Sequence, residues 1–63
     1  MLAQRDLPWA RTGLGRLYFL QGQYELARGV FWQVLEDNPM FMEASDWQAR
    51  TLQALGDGMQ AQL

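Results

Sequence analysis

The chain has 63 residues, a net charge of −2, and neither cysteine nor histidine. A chain of this length forms one small domain at most, and disulfides and histidine-bound metals are not available to stabilise it. Its five basic residues are all arginine and are outnumbered by seven acidic ones, which argues against a nucleic-acid partner, and its apolar runs of four residues or fewer are far shorter than the ~20 that a membrane helix needs.

The first predicted helix begins at Pro8 and runs to about Gln21. Proline at the first helical position loses no hydrogen bond that it would have made. A glycine inside a helix costs about 1 kcal/mol relative to alanine, so Gly15 predicts that another helix approaches closely at that point. One face of this helix follows the three-and-four spacing and carries Ala10, Leu14, Leu17, Tyr18 and Gln21.

The second predicted helix runs from about Tyr24 to Asp37, after a tight turn at Gly22. Its small residue, Ala27, is expected to lie opposite Gly15 in a close antiparallel hairpin. Asn38-Pro39 ends the helix, because the residue before a proline avoids the helical conformation. The apolar face of this helix carries Tyr24, Ala27, Phe31, Val34 and Leu35.

The third predicted helix extends from near Phe41 to about Leu55, and a second turn is expected at Gly56-Asp57-Gly58. The residues that follow are too few for more than one helical turn. An internal repeat is also visible, because several pairs of similar positions are 34 residues apart. These pairs are Gly15 and Ala49, Tyr18 and Leu52, Gly22 and Gly56, and Ala27 and Ala61.

The positions that resemble the tetratricopeptide repeat are Leu14, Gly15, Tyr18, Gly22, Tyr24, Ala27, Phe31, Leu35 and Pro39. Residues 8–41 form one full unit, residues 42–63 a partial unit, and residues 1–7 resemble the end of an upstream helix. Gln48 and Gly58 depart from the pattern, since the family usually has leucine and tyrosine there. The resemblance implies an all-α fold of antiparallel helix-turn-helix repeats, about one and a half units of an α-solenoid. An unrelated helical hairpin is the alternative.

The resemblance also implies a concave surface, lined mostly by first helices, that binds a peptide or protein partner. Arg16 and Arg50 occupy equivalent positions and could hold a partner carboxylate through paired hydrogen bonds. In the simpler interpretation both are solvated, with Arg50 paired to Asp46. The candidate binding residues are Trp9, Thr12, Arg16, Phe19, Leu20, Glu43, Asp46, Arg50 and Gln53.

Two tryptophans, Trp32 and Trp47, are further candidates for partner binding. Together with Trp9, Phe19 and Phe41 they could line a hydrophobic groove, although in repeat proteins such residues also pack between units. Trp32 lies off the face of the second helix that is expected to be buried, so it is predicted to be exposed, and exposed large aromatics mark contact surfaces.

Catalysis has no support in this sequence. A serine or threonine nucleophile would have neither histidine nor lysine as its base. The acidic pairs Glu36-Asp37 and Glu43-Asp46 lack the ligand number of a calcium loop. We therefore predict no enzyme activity, no cofactor and no bound metal.

The Leu-Pro-Trp-Ala-Arg start and the Asn-Pro-Met-Phe-Met-Glu-Ala linker resemble tetratricopeptide regions that follow receiver domains in some bacterial response regulators. Charged residues and proline interrupt the N-terminal residues where a secretory signal would be continuously apolar, so the chain is predicted to be cytoplasmic.

One and a half repeat units leave apolar faces uncovered, so we expect a homo-oligomer, with a dimer favoured. The expected mode pairs open ends across a two-fold axis, and Gly58 opposes the straight helix that an exchange between chains would need. The predicted function is a protein–protein interaction scaffold that also self-associates. The alternative is a self-assembly module of a response regulator, without a separate peptide ligand.

Overall fold

The fold comprises three α-helices in a computed structural model, which describes residues 7–61 and the side chains of residues 8–56. They are α1 (Leu7–Leu20), α2 (Tyr24–Asp37) and α3 (Met42–Ala61), and this part of the chain has no strand. Helix α2 lies in the middle and packs on both neighbours, whereas α1 and α3 touch only at an edge. The predicted all-α fold with helix-turn-helix packing is confirmed. No described helix has the length and hydropathy required to cross a membrane.

The turn between α1 and α2 depends on Gly22, whose φ of 82° lies in the left-handed region. The Gly22 amide donates to the Phe19 carbonyl at 3.0 Å, and the Gln23 amide donates to the Tyr18 carbonyl at 2.9 Å. These two bonds satisfy carbonyls that the end of a helix would otherwise leave without partners. The turn predicted at Gly22 is therefore confirmed.

Helix α2 ends at Asp37, as predicted, because Pro39 cannot continue the helical hydrogen bonding. The Asn38 amide donates to the Val34 carbonyl at 2.8 Å, and the Phe41 amide donates to the Asn38 carbonyl at 3.0 Å. The connection is short, so α3 returns directly along α2.

The core is small and centres on Phe31, which is fully buried. A Cβ atom added to Gly15 would lie 2.5 Å from the Phe31 ring, so the ring occupies the space that the glycine leaves. The predicted close approach at Gly15 is confirmed, but the group opposite is this ring rather than Ala27. The buried apolar residues are Ala27, Phe31, Val34 and Ala44.

The predicted apolar face of α1 is mostly wrong as a packing face. Leu14 and Leu17 are 44% and 53% exposed, and Ala10 is exposed as well. Among residues 8–20 of α1, the buried ones are instead Thr12 and Gly15. Small residues on that side allow α2 and its phenylalanine ring to come close, which places the leucines outside.

The turn predicted at Gly56-Asp57-Gly58 is also wrong, because α3 continues without a break to Ala61. Among the described glycines, Gly22 is the one with a positive φ, so Gly56 does not reverse the chain as its repeat equivalent does. A glycine costs only about 1 kcal/mol within a helix, and no proline follows to stop α3. The prediction that Gly58 opposes a straight helix is therefore wrong as well.

Candidate protein-binding surface

Aromatic side chains link α1 to α3 and to the connection that precedes α3. The Trp9 and Phe41 rings meet edge-on with their centres 4.8 Å apart, and the Phe19 and Trp47 rings do so at 5.4 Å. Edge-to-face pairs at these distances are favourable beyond the apolar area they bury. The aromatic residues predicted as a possible peptide groove thus largely pack against one another between the helices.

Trp47 stands at the centre of this cluster. Its ring stacks on Phe31 at 6.3 Å on one side, and the Arg50 guanidinium lies 5.0 Å from its centre. Arg50 also pairs with Asp46 at 3.3 Å. This is the ion pair that the sequence suggested as the simpler alternative to a partner's carboxylate. Both charged side chains of the pair are more than half exposed, so the pair contributes little stability and leaves Arg50 accessible to a partner.

Arg16 is exposed on α1 and makes no ion pair with any described side chain. It lies on one stripe of the helix with Trp9 and Leu20, which are 59% and 69% exposed. We call the surface formed by these residues and the neighbouring α3 side chains the α1–α3 face. Its members are Trp9, Arg16, Phe19, Leu20, Asp46, Trp47 and Arg50, and the predicted candidates Glu43 and Gln53 are also exposed on α3.

Thr12 was predicted to line the binding surface, but the structure buries it away from the α1–α3 face. It is 4% exposed, and its hydroxyl donates to the Pro8 carbonyl one turn earlier at 2.6 Å. Thr51 in α3 is equally buried and donates to the Trp47 carbonyl at 2.8 Å. A polar side chain in a packed interface needs such a partner, and both threonines find it within their own helix.

Trp32 is 60% exposed, as predicted, but it lies on a different surface from the α1–α3 face. It lines a groove between α2 and α3, which we call the α2–α3 groove. This surface was not predicted, but the 34-residue period could have identified it, because the return helix of a second repeat unit would pack there. The groove is lined by Arg28, Gly29, Trp32, Gln48 and Leu52.

Gln48 crosses from α3 to α2 beside this groove. Its Nε2 donates to the Arg28 carbonyl at 3.3 Å, whereas its Oε1 is buried and has no partner among the described residues. A buried acceptor without a partner costs about 1–3 kcal/mol. Gln48 stands where the tetratricopeptide pattern usually has leucine, and this glutamine thus weakens the contact between α2 and α3.

Charged side chains in the described part of the chain do not gather into a site for chemistry. Arg11 lies 3.9 Å from Asp37, and Arg28 lies 2.7 Å from Glu25, both at the surface. Among the described side chains, residues 8–56, no group of three or more acidic side chains is close enough to hold a metal ion.

No family model matches this sequence, and no curated protein or solved structure shows significant similarity to it. The tetratricopeptide resemblance therefore depends on the residue pattern alone.

Proposed function

We infer that this chain is a protein–protein interaction scaffold of the tetratricopeptide type, which binds a peptide or protein partner and also associates with itself. The observation that carries this proposal is the exposed apolar surface. Nine large apolar side chains in the described part are 44–88% exposed, among them Trp9, Leu20 and Trp32, whereas four apolar residues there are buried. Apolar surface of this extent marks contact sites in small proteins.

The α1–α3 face is the proposed site for a separate partner. Trp9 and Leu20 offer apolar contacts, and Arg16 between them offers a guanidinium that can donate two parallel hydrogen bonds to a carboxylate. Arg50 lies across the aromatic cluster and adds a second positive charge. The chemistry favours an extended segment with an apolar side chain next to an acidic one or a chain terminus.

The proposal includes no catalytic step, cofactor, nucleic acid or membrane. The cytoplasmic location and the link to response regulators remain predictions from the sequence.

The partner site is tested by selecting peptides from a random display library on the immobilised chain. Affinities are then measured for wild type, Arg16→Ala and Leu20→Ser. Each variant should bind the selected peptides about tenfold more weakly, which corresponds to about 1.4 kcal/mol. Leu26→Ser is the matched control, since Leu26 is a 54% exposed leucine on α2.

Two results would contradict the α1–α3 face as the partner site. One is the absence of any enriched peptide, and the other is unchanged affinity in Arg16→Ala and Leu20→Ser.

Self-association is favoured by a separate observation, the open α2–α3 groove with Trp32 and Leu52 at its surface. Trp47 is unsuitable for testing it, because this residue stacks on the buried Phe31 and a replacement would also disturb the core. Replacements in the groove itself are needed.

A further inference from the structure

The last turn of α2 carries two carboxylates and no basic residue. They belong to Glu36 and Asp37, which are both exposed. The C-terminal end of a helix has a partial negative charge, so cations are stabilised there and carboxylates are not. The first turn of α2 has the favourable arrangement, since Glu25 lies at the positive end of the helix and pairs with Arg28 at 2.7 Å. The end of α2 therefore carries an excess of negative charge.

Little of this charge is compensated within the described part of the chain. Glu36 makes no ion pair with any described side chain. Asp37 lies 3.9 Å from the Arg11 guanidinium, which is too far for a hydrogen bond, and its side chain is 68% exposed. The Arg11 guanidinium donates instead to the Gln33 side chain, at 3.5 Å. Both carboxylates can therefore accept hydrogen bonds from a cation that a partner supplies.

Two large apolar side chains lie beside these carboxylates. Trp32 is one turn before Glu36 on the same stripe of α2 and is 60% exposed, and Met40 in the connection to α3 is 88% exposed. Asp37 lines two shallow clefts, one with Trp32 and Glu36 and the other with Pro39 and Met40. We call this surface the α2 end patch, and its members are Trp32, Glu36, Asp37, Pro39 and Met40.

We propose that the α2 end patch binds a partner protein through a segment that carries lysine or arginine next to a large apolar side chain. Charge complementarity selects this occupant. Glu36 and Asp37 accept charge-assisted hydrogen bonds from the cation, and the negative end of α2 attracts it further. The Trp32 ring can also hold a cation over its face, and the flexible Met40 side chain adapts to the neighbouring apolar group.

This surface goes beyond the proposed function, which assigns partner binding to the α1–α3 face. That face has the opposite preference, because Arg16 is exposed there and makes no ion pair with any described side chain. The α1–α3 face therefore favours acidic segments, and the α2 end patch favours basic ones.

The patch is tested by fluorescence anisotropy with two labelled synthetic peptides of equal length, one of leucine and lysine and the other with glutamate in place of each lysine. Wild type should bind the lysine peptide in preference to the glutamate peptide. Glu36→Gln should raise the dissociation constant of the lysine peptide about fivefold. The matched control is Glu25→Gln, which removes the same charge from the other end of α2 and should leave the dissociation constant within about twofold.

The apolar part of the patch is tested with the same lysine peptide. Met40→Ser should raise its dissociation constant about fivefold, and Leu26→Ser, at a 54% exposed leucine on α2, should leave it within about twofold. Circular dichroism checks that all variants keep their helices. Since removing a carboxylate from the C-terminal end of a helix does not weaken the helix, lost binding in Glu36→Gln cannot come from unfolding.

Three outcomes overturn the proposal. Equal weakening by Glu36→Gln and Glu25→Gln would show that net charge alone attracts the peptide. Equal binding of the two peptides, or binding of neither, would show that the patch selects no basic segment. If Glu36→Gln instead lowers the oligomeric mass of the chain alone in sedimentation equilibrium, a second copy occupies the patch. The α1–α3 face is judged separately, by Arg16→Ala with the selected peptides.

Discussion

Gly15 shows how a single missing side chain determines the packing. Its position lets the Phe31 ring contact the α1 backbone, and the ring has Trp47 stacked against it, so it cannot move aside easily. The glycine was recognisable from the sequence as a packing site, because it weakens a helix that otherwise gains nothing from it. The residue that packs on Gly15 could not be recognised from the sequence, since both Ala27 and Phe31 lie on the face of α2 that packs against α1.

We expect Gly15→Ala to lower the free energy of unfolding by about 1–3 kcal/mol, since overpacking outweighs the gain in helix propensity. Gly13→Ala is the matched control two residues away, with nothing within 4 Å of its added Cβ, and it should raise stability by about 1 kcal/mol. Urea unfolding followed by circular dichroism measures both. Equal stabilisation by the two alanines would show that Phe31 does not pack on Gly15.

Among the helices, α3 differs most from its prediction, because of where it ends. The repeat period equates Gly56 with Gly22, and a turn was therefore expected at both. Only Gly22 has the left-handed φ in the described part of the chain, while Gly56 lies within a continuous helix. A glycine permits a turn without requiring one, because it adopts helical and left-handed conformations with similar ease.

Alanine at the two equivalent glycines should therefore have opposite effects. Gly22→Ala places a Cβ at a φ of 82° and should destabilise the chain by about 1–2 kcal/mol. Gly56→Ala should stabilise it by up to about 1 kcal/mol and increase the helical signal at 222 nm. Thermal unfolding at one fixed protein concentration compares them. Destabilisation by both would indicate that the chain turns at Gly56 in solution.

For the whole molecule, stability and self-association depend on the balance between a small core and a large exposed apolar surface. Phe31 and Val34 are the larger apolar side chains with almost no exposure in the described part, and the other buried apolar residues are alanines. Domains of this size rarely obtain more than about 3–5 kcal/mol from one core. Association through uncovered faces is then a direct way to add stability.

Phe31→Ala should abolish cooperative unfolding of the isolated chain, because truncating a buried phenylalanine costs about 3–5 kcal/mol, as much as the whole stability expected here. Leu26→Ala, at a 54% exposed leucine, is the control and should change the free energy of unfolding by less than about 1 kcal/mol. Denaturant titrations monitored by tryptophan fluorescence compare the variants. A sharp transition in Phe31→Ala would mean that another core carries the fold.

The amino-acid sequence alone was enough to predict the three helices, the turn at Gly22 and the end of α2, because glycine and proline act through local backbone geometry. It also determined that Trp32 would be exposed, since the position of a residue on one helix follows from its spacing. Tertiary structure decided which side of α1 packs, where Thr12 lies and whether Gly56 turns. These outcomes depend on the fit between side chains of different helices, for which several arrangements satisfy the same periodic pattern.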